Sequence, residues 1–392
     1  MKRLLIIFFI LIAINISAQE QIFVLCEGNF MSGNSSLWYL IESDNLVEYG
    51  GNPIGDTGQS LKVYGNKLYV IINGSGIIES YDISETGELS LDQTLSTNFS
   101  GPREIEVYNN IGYITEWYTN AILKIDIETF EIIDSIAVDG LPEDMVIENG
   151  ILYVSITLDS AWQNNNKIIS IDVITDEIIN EYSVGMGPGQ MLVNDDKLYI
   201  SGVYYDDNWI TYTVSSMINL ITQDILITDY GNNPLFGNDL TLINGEVYRT
   251  YNGGVIRLDE NLNPIENTQI GWYNNVYSMS SYGNNIYLGI SDFVAPDQVI
   301  VIDLNGAELA NYTVGAIPGD FAFMYYSDCD NNGDLNLDGS LDILDIVEII
   351  SIIIDEDENT SDQSICIVDS NNDGSIDVVD VVYWISIILA NH

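Results

Sequence analysis

Basic residues are scarce in this sequence, and histidine is almost absent. Of its 392 residues, 10 are Lys or Arg, 59 are Asp or Glu, and the single histidine is His392. A formal net charge of −49 leaves little with which to neutralise phosphates, so nucleic acid and anionic membrane surfaces are excluded as partners. One histidine also excludes a His-based catalytic triad and a multi-histidine metal site.

Long hydrophobic runs are scarce as well. Lys2 and Arg3 precede an apolar run over residues 4–14, which is too short to span a bilayer, and small residues lead up to Ala18. This pattern predicts a signal peptide over residues 1–18, cleaved after Ala18. No cysteine directly follows the cleavage site, so we expect no lipid anchor. The protein is therefore predicted to be secreted or displayed at the cell surface without a membrane span, where disulfides are permitted.

A unit of about 40–50 residues recurs along most of the chain. Each copy has an apolar strand, a tight Gly/Asn/Asp turn, a strand with an apolar-Tyr pair, and a strand ending in an apolar-Asp pair. The tyrosines are Tyr69, Tyr113, Tyr153, Tyr199, Tyr248 and Tyr287. The aspartates are Asp82, Asp126, Asp172, Asp259 and Asp303, and residues 210–216 depart from the pattern. Such a repeat predicts a β-propeller with four strands per blade.

The number of blades follows from a split unit at the two ends of the repeat region. Six units are read as complete. Residues 22–25 and 37–40 have the pattern of second and third strands, and residues 318–326 that of a first strand. Their pairing would close the ring and cover both sheet edges. We therefore predict an all-β fold, a seven-bladed propeller over residues 19–327.

Two segments of this region carry a resemblance to a known family. Residues 23–30 (FVLCEGNF) and 55–60 (GDTGQS), with the blade repeat, are similar to the YVTN-type seven-bladed propellers of bacterial surface proteins. The resemblance implies binding of a ligand at the cell surface, such as a glycan, a cobalamin-like small molecule or a surface protein. Blade motifs specify a fold far better than they specify a ligand.

Aromatic residues concentrate in the loops between second and third strands and in the links between blades. These segments lie on one face of a propeller, and long loops on a rigid scaffold often carry binding sites. The residues are Trp117, Tyr118, Trp162, Tyr204, Tyr205, Trp209, Trp272, Tyr273 and Phe293. Such rings can stack on a sugar or a planar cofactor. The alternative is that they pack between blades.

A second candidate site lies in the central channel, nine residues before each repeated tyrosine. The aligned residues are Ser60, Glu104, Asp144, Gln190, Asp239 and Ser278, and Asp320 fits the split blade. Arg103 precedes Glu104. One interpretation is a site for a cation or polar ligand. The other is a solvated entrance at which these side chains cap backbone groups.

The composition changes at residue 328. Residues 328–392 contain 16 acidic residues and no Lys or Arg, and two stretches, 334–345 and 369–380, match position by position. Ca²⁺ takes about six to eight oxygen ligands from loop positions 1, 3, 5, 7, 9 and 12, with glycine at position 6 for the turn. The first set is Asp334, Asn336, Asp338, Ser340, Asp342 and Asp345, with Gly339 at the turn. The second set is Asp369, Asn371, Asp373, Ser375, Asp377 and Asp380, with Gly374. We therefore predict two bound Ca²⁺ ions.

Each of these loops leads into an apolar stretch with helical periodicity and lacks an entering helix. Two loop-helix units with Asp at position 12 resemble a dockerin type I module over residues 328–392. The resemblance implies calcium-dependent folding and docking to a cohesin-like or other surface protein. Cellulosomal dockerins commonly carry hydroxyl residues at loop positions 10 and 11, whereas this chain has Ile343, Leu344, Val378 and Val379. Surface attachment or stabilisation are the alternative roles.

The sequence has three cysteines. Cys329 and Cys366 precede the two loops, and in an exported chain we expect them to form a disulfide that stabilises a small domain. The alternative is two free thiols. Cys26 lies in a predicted inner strand and is interpreted as a small buried apolar residue rather than a nucleophile.

These observations support a monomeric secreted or cell-surface propeller that binds a glycan, small molecule or surface protein and carries a calcium-binding tail. The main alternative is an extracellular polysaccharide-degrading enzyme or accessory subunit, in which propeller carboxylates such as Glu104 and Asp144 act as acid and base. A third interpretation is an adhesion protein without a small ligand.

Overall fold

The computed structural model describes residues 19–41, 45–84, 86–326, 331–333, 335, 341–355, 366–371 and 375–390. Residues Ile22–Phe323 form one compact unit, and the chain from Met324 onward is assigned to a second. The signal-peptide residues lie outside the described ranges. No helix within those ranges is both long and apolar enough to cross a membrane.

Seven antiparallel sheets follow one another along the first unit. Blade 1 consists of β4 (Gly58–Tyr64), β5 (Lys67–Ile72), β6 (Ile77–Ile83) and β7 (Leu89–Ser96). Blade 2 consists of β8 (Pro102–Tyr108), β9 (Ile111–Glu116), β10 (Ala121–Asp126) and β11 (Glu131–Ala137). Blade 3 consists of β12 (Leu141–Glu148), β13 (Ile151–Leu158), β14 (Asn164–Asp172) and β15 (Ile178–Ser183).

The remaining blades complete the ring. Blade 4 consists of β16 (Pro188–Asn194), β17 (Lys197–Tyr205), β18 (Thr211–Asn219) and β19 (Ile225–Gly231). Blade 5 has β20 (Phe236–Ile243), β21 (Glu246–Tyr251) and β22 (Gly254–Arg257). Blade 6 has β23 (Val276–Tyr282), β24 (Asn285–Ile290), β25 (Asp297–Asp303) and β26 (Glu308–Val314). In blades 1 to 6, the first strand of each blade packs beside the first strand of the next.

Blade 7 is assembled from both ends of the propeller, as the split repeat predicts. Its strand order is β27 (Pro318–Tyr326), β1 (Gln19–Cys26), β2 (Ser36–Ile41) and β3 (Asn45–Glu48). The innermost strand therefore comes from the far end of the propeller sequence. The fold is a seven-bladed β-propeller.

The repeated tyrosines pack in the interfaces between blades. Tyr69, Tyr113 and Tyr287 are almost fully buried. The hydroxyl of Tyr113 in blade 2 donates a hydrogen bond of 3.3 Å to the carbonyl of Val173 in blade 3. The ring of Tyr287 in blade 6 lies 4.8 Å from that of Phe323 in blade 7. A large residue at this position thus fills the wedge between adjacent sheets, which explains its recurrence.

The recurring aspartates Asp126, Asp172 and Asp303 have a different role, because they cap the hairpin between the third and fourth strands. Asp126 Oδ1 accepts the backbone N–H of Thr129 at 2.8 Å, and Asp303 Oδ1 accepts that of Asn305 at 2.9 Å. In blade 4, where residues 210–216 depart from the pattern, the third strand extends to Asn219. Asn219 Oδ1 accepts the N–H of Thr222 at 2.7 Å, so an amide replaces the carboxylate. These are Asx-turns.

Blade 5 corrects the expectation of six complete units. Its sheet has three strands, and after β22 the described chain continues through isolated bridges between Leu258 and Pro264 and between Val255 and Ile270. The segment contains Asn261, Asn263 and Pro264, which favour turns over a continuous ladder. In place of a fourth strand, blade 5 therefore has an irregular segment that pairs with β22 only through isolated bridges.

Cys26 is fully buried in β1, as its interpretation as a small apolar residue requires. It packs with Val24, Leu40, Val299 and Phe321 in the cluster between blades 6 and 7. Burial raises the pKa of its thiol, which leaves it protonated and unreactive.

In the second unit, two helices occupy the stretches predicted to be helical. Helix α1 spans Ile343–Asp355 and helix α2 spans Val378–Ala390. Their buried core contains Ile346, Ile349, Val381 and Trp384 together with residues 367–368. Cys329 lies outside the described residues, so its disulfide with Cys366 stays a prediction.

Candidate functional site

The channel-lining residues are presented by irregular first strands. In β8 the pairing register with β9 shifts between Pro102 and Ile105, and equivalent shifts occur in β4, β12, β16, β20 and β23. A β-bulge at this position turns two successive side chains towards the same side of the strand. The side chains of Arg103 and Glu104 therefore both line the central channel.

A cavity of about 300 Å³ lies in the channel beside Arg103 and Glu104, and we call it the central cavity. It brings together five predicted site residues: Arg103, Glu104, Asp144, Asp239 and Asp320. Its wall also contains Gln59, Glu106, Glu143, Gln190, Asn238 and Ser278. Six carboxylates thus face one guanidinium in its lining, so the cavity is strongly electronegative.

Several of these polar side chains join neighbouring blades by accepting backbone hydrogen bonds. Asp320 Oδ2 accepts the N–H of Leu61 in the next blade at 2.6 Å, and Asp144 Oδ2 accepts that of Met191. Gln190 Oε1 accepts the N–H of Leu240 in the same way. The second carboxylate oxygens of Asp144 and Asp320 accept the N–H of the following residue at 2.8 Å. These three residues fit the capping interpretation, and Asp144 is poorly placed to act as a free catalytic base.

Glu104 and Asp239 differ from the other members of the ring. Glu104 accepts only a 3.4 Å bond from the N–H of Ile105, and no bond to the next blade occurs within the described chain. Asp239 receives the backbone N–H of Met279. Its Oδ2, however, is shielded from solvent and has no hydrogen-bond partner among the described residues. A buried carboxylate oxygen without a donor is costly, so Asp239 is an unsaturated acceptor in the central cavity, and Glu104 is only weakly bonded.

Burial raises the pKa values of the four carboxyl groups in the ring, Glu104, Asp144, Asp239 and Asp320. It raises the pKa of Asp144 to about 8 and those of Asp239 and Asp320 to about 7. Burial and then the charges of Asp320 and Asp144 raise the pKa of Glu104 well above its ordinary value. Near neutral pH the cavity therefore carries a mixture of carboxylates and carboxylic acids.

In addition to Arg103, Lys62 places a cation beside the ring. Its Nζ lies 2.8 Å from Glu106 Oε1. Although burial lowers the pKa of Lys62, the charges of Glu106, Glu104 and Asp144 raise it above its ordinary value. Lys62 thus remains charged and neutralises part of the ring.

At the channel mouth, Arg103 connects the cavity to the aromatic loops. Its guanidinium binds both oxygens of Glu143 and donates to Gln59 Oε1 at 2.6 Å. It also lies 4.3 Å from the ring centre of Trp117, a cation–π geometry. Gln59 and Glu143 occupy the same repeat position as Arg103, ten residues before the tyrosine, so extending the alignment by one residue would have found them.

The aromatic residues form separate groups rather than a single surface. Trp117 and Trp162 meet edge to face at 5.6 Å, and the Tyr118 ring lies 6.2 Å from Trp162. Trp162 is 51% exposed and Tyr118 64% exposed. This cluster borders Arg103.

The other rings lie apart from that cluster. Tyr205 pairs with Trp209, which is 83% exposed, and Phe293 contacts Tyr277 edge to face at 5.8 Å. Tyr204 stacks on Tyr212 within its own blade. Trp272 and Tyr273 line a second cavity between blades 5 and 6. The single aromatic face of the sequence prediction is therefore divided among several sites.

The described part of the C-terminal loops shows the same hydrogen bonds twice. The N–H of Asp342 donates to Asp345 Oδ2 at 2.8 Å, and the N–H of Asp377 donates to Asp380 Oδ2 at 2.9 Å. Asp345 and Asp380, at position 12, are fully buried. The predicted ligands Asp334, Asn336, Asp338, Ser340 and Asp373 lie outside the described residues. Among the residues that the structure describes, no group of three or more His, Cys, Asp or Glu side chains is placed so that it could bind a metal ion.

Comparison with known proteins agrees with the propeller fold. No protein-family profile matches the sequence, and no curated protein matches it. Three solved structures are similar to it over most of its length. A putative 6-phosphogluconolactonase from Bacteroides fragilis has 13% identity and a TM-score of 0.55, covering 78% of this chain and 98% of its own. A protein from Lactobacillus plantarum has 13% identity and a TM-score of 0.57, covering 78% and 99%. AztD from Citrobacter koseri has 10% identity and a TM-score of 0.53, covering 79% and 99%. These similarities define the fold class alone.

Proposed function

We propose that this protein is a ligand-binding β-propeller whose ligand enters the central cavity. The observation that carries the proposal is the buried Oδ2 of Asp239, which has no donor among the described residues and, with the weakly bonded Glu104, faces a cavity of about 300 Å³. A ligand with a cationic group or several hydrogen-bond donors would supply the donors that these oxygens lack. The Trp117, Tyr118 and Trp162 rings beside Arg103 offer apolar surface for the remainder of such a ligand.

Binding to the full-length mature protein tests this proposal. Calorimetric titration with spermidine, cobalamin and a panel of neutral oligosaccharides covers the cationic, cofactor and glycan classes. We expect one class to bind, and the substitution Glu104→Gln or Asp239→Asn to weaken that binding at least about tenfold. Asp207→Asn, at an exposed aspartate in the β17–β18 loop, is the matched control. Absence of binding by every probe, or equal loss in Asp207→Asn, would contradict a cavity site.

We also propose that residues 328–392 form a calcium-binding, dockerin-like domain that docks to a surface protein or stabilises the chain. Support comes from the matched hydrogen bonds around Asp345 and Asp380. Both carboxylates are buried, and the sequence of residues 328–392 contains no Lys or Arg, so a bound cation would balance negative charge in this segment.

Calorimetric unfolding of the full-length protein with Ca²⁺ and with EGTA tests the calcium proposal. We expect a transition that moves upward with Ca²⁺ concentration and that is lost in Asp380→Ala, because ions that bind only the folded state stabilise it. Identical traces in Ca²⁺ and EGTA would refute it.

Export and the disulfide complete the proposal. After cleavage behind Ala18, mass spectrometry of protein from the culture medium or cell surface would find Gln19 at the amino terminus. Peptide mapping without reductant would find Cys329 linked to Cys366. An intact residue 1, or both thiols alkylated without reduction, would contradict these two points.

A further inference from the structure

A second cavity, which we call the blade 5–6 pocket, lies apart from the central cavity and, unlike it, has an uncharged lining. Its volume is about 460 Å³, within the range of ligand-binding pockets. It shares no lining residue with the central cavity, and none of its lining residues is charged. This is unusual in a sequence with 59 acidic residues.

The pocket follows from the irregular end of blade 5. Gly253 adopts a left-handed φ of +78°, and a Cβ there would lie 1.9 Å from the carbonyl oxygen of Tyr273. A Cβ on Gly254 would lie 2.1 Å from that of Ile270. Two successive glycines therefore let the link between blades 5 and 6 run directly against the β21–β22 turn. The link is held there by a bond of 2.6 Å from the N–H of Tyr273 to the carbonyl of Gly253.

A stacked aromatic layer forms one wall of the pocket. The ring of Phe236 stacks on Tyr230 with centres 3.9 Å apart and meets Tyr251 edge to face at 5.0 Å. Behind these rings, the fully buried guanidinium of Arg249 lies 5.6 Å from Phe236. Arg249 donates hydrogen bonds to Gly237, Ser215 and the carbonyls of Val214 and Gly202. The wall is thus fixed in position before any ligand arrives.

The remaining lining includes an exposed aromatic ring and asparagine side-chain amides. Trp272 lines the pocket and is 68% exposed. Asn252, Asn274 and Asn275 also line it, and their side-chain amides form no hydrogen bond with any residue that the structure describes. Each amide offers both a donor and an acceptor, as a sugar hydroxyl requires of its partners.

We infer that the blade 5–6 pocket binds a neutral saccharide, with Trp272 stacked on the sugar ring and the three asparagines bonding its hydroxyls. The uncharged lining offers no countercharge for a phosphate or carboxylate ligand. The surrounding negative charge of the propeller further disfavours anionic sugars and nucleotides. An aromatic plane combined with amides suits a ring that has apolar C–H faces and polar edges.

Titration of the full-length protein with neutral disaccharides tests this inference. The probes are cellobiose, laminaribiose, xylobiose, mannobiose, galactobiose and N,N′-diacetylchitobiose, with digalacturonic acid and adenosine as comparisons. We expect at least one neutral disaccharide to bind with a Kd of about 1 mM or tighter. Trp272→Ala should weaken this binding at least about tenfold. Trp209→Ala is the matched control, because Trp209 is an exposed tryptophan outside the pocket, and binding should change less than about twofold.

Asn274→Ala provides a second variant in case Trp272→Ala does not fold, and it should weaken binding at least about threefold. Asp207→Asn, at an exposed residue that lines neither cavity, should leave disaccharide binding unchanged. The inference is overturned if no neutral disaccharide binds at about 10 mM, if adenosine or digalacturonic acid binds more tightly than all of them, or if Trp209→Ala has the same effect as Trp272→Ala.

Discussion

The buried carboxyl group of Asp239 makes the stability of the folded protein depend on pH. One carboxylate oxygen is left without a donor in the described structure, and burial raises its pKa to about 7. In an unfolded chain an aspartate has a pKa of about 3.9. The folded protein therefore binds more protons at this site than the unfolded chain between these two values. The contribution of Asp239 to the free energy of unfolding is therefore fully present below about pH 4 and is lost as the pH rises towards 7.

Asp239→Asn should remove that pH dependence. Relative to the wild type, the variant should gain thermal stability progressively between pH 5 and pH 7 and no further by pH 8, since each pH unit between the two pKa values costs the wild type about 1.4 kcal/mol. Melting temperatures at pH 5, 6, 7 and 8 measure the effect. Asp207→Asn should shift them by a constant amount, and a parallel shift in Asp239→Asn would disprove the account.

Arg249 is the second residue whose environment makes a strong prediction. Burial lowers its pKa to about 10, so it remains charged at neutral pH. Arg249→Met would leave the carbonyls of Gly237, Val214 and Gly202 without their donor. We expect a loss of about 3–5 kcal/mol in the free energy of unfolding, measured by urea titration.

The control for this experiment is Arg257→Met. Arg257 forms a 3.2 Å ion pair with Glu246, and both side chains are partly exposed. An exposed pair contributes at most about 1 kcal/mol. Equal losses in the two variants would show that the bonds of Arg249 add nothing.

Among the strands, β27 has the largest predicted effect. It supplies the innermost strand of blade 7, buries Phe321 and Ala322, and links to blade 1 through Asp320 and Leu61. A chain that ends at residue 326 should unfold cooperatively. A chain that ends at residue 317 should lose cooperative unfolding, because the inner edge of β1 and the apolar side chains of blade 7 would face water. Circular dichroism against temperature compares the two, and matching transitions would refute this.

The number of blades was predictable because the tyrosines and turn aspartates recur for local reasons. Tyr113 fills a wedge between sheets, and Asp303 caps a hairpin a few residues away, so each leaves a pattern in its own repeat. The three-stranded form of blade 5 was missed, because the segment keeps its Leu258-Asp259 signature while the chain beyond it crosses irregularly.

The candidate sites were predictable only in part. Aligning the repeats placed Glu104, Asp144, Asp239 and Asp320 in one cavity. It did not show that Asp144 and Asp320 are saturated by backbone N–H groups whereas Glu104 and Asp239 are not. That distinction depends on side-chain length and on the distance between neighbouring blades, which no single repeat contains. The blade 5–6 pocket depends on two glycines lying against a distant link, which is a tertiary contact.

For the whole molecule, the charge distribution predicts how stability responds to salt. Residues 19–327 contain 43 acidic and 8 basic residues. Repulsion among these charges favours expansion, and salt screens it, with a Debye length of about 10 Å at 0.1 M. The melting temperature should therefore rise between about 20 mM and about 500 mM NaCl. Choline chloride should act similarly, since the effect depends on ionic strength. An unchanged or falling melting temperature would contradict this.

Because blade 7 combines strands from both ends of the propeller, it is the last blade that can be completed during translation. Strand β1 is made first among the described strands, yet its inner neighbour β27 is made last. Every other blade can form its hairpins as soon as the ribosome releases them. Blade 7 cannot be completed until β27 has been synthesised. Until then, the apolar residues Phe23, Val24 and Leu25 of β1 lack this neighbouring strand and can contact other proteins. A slow step in translation just before Pro318 would lengthen this vulnerable period.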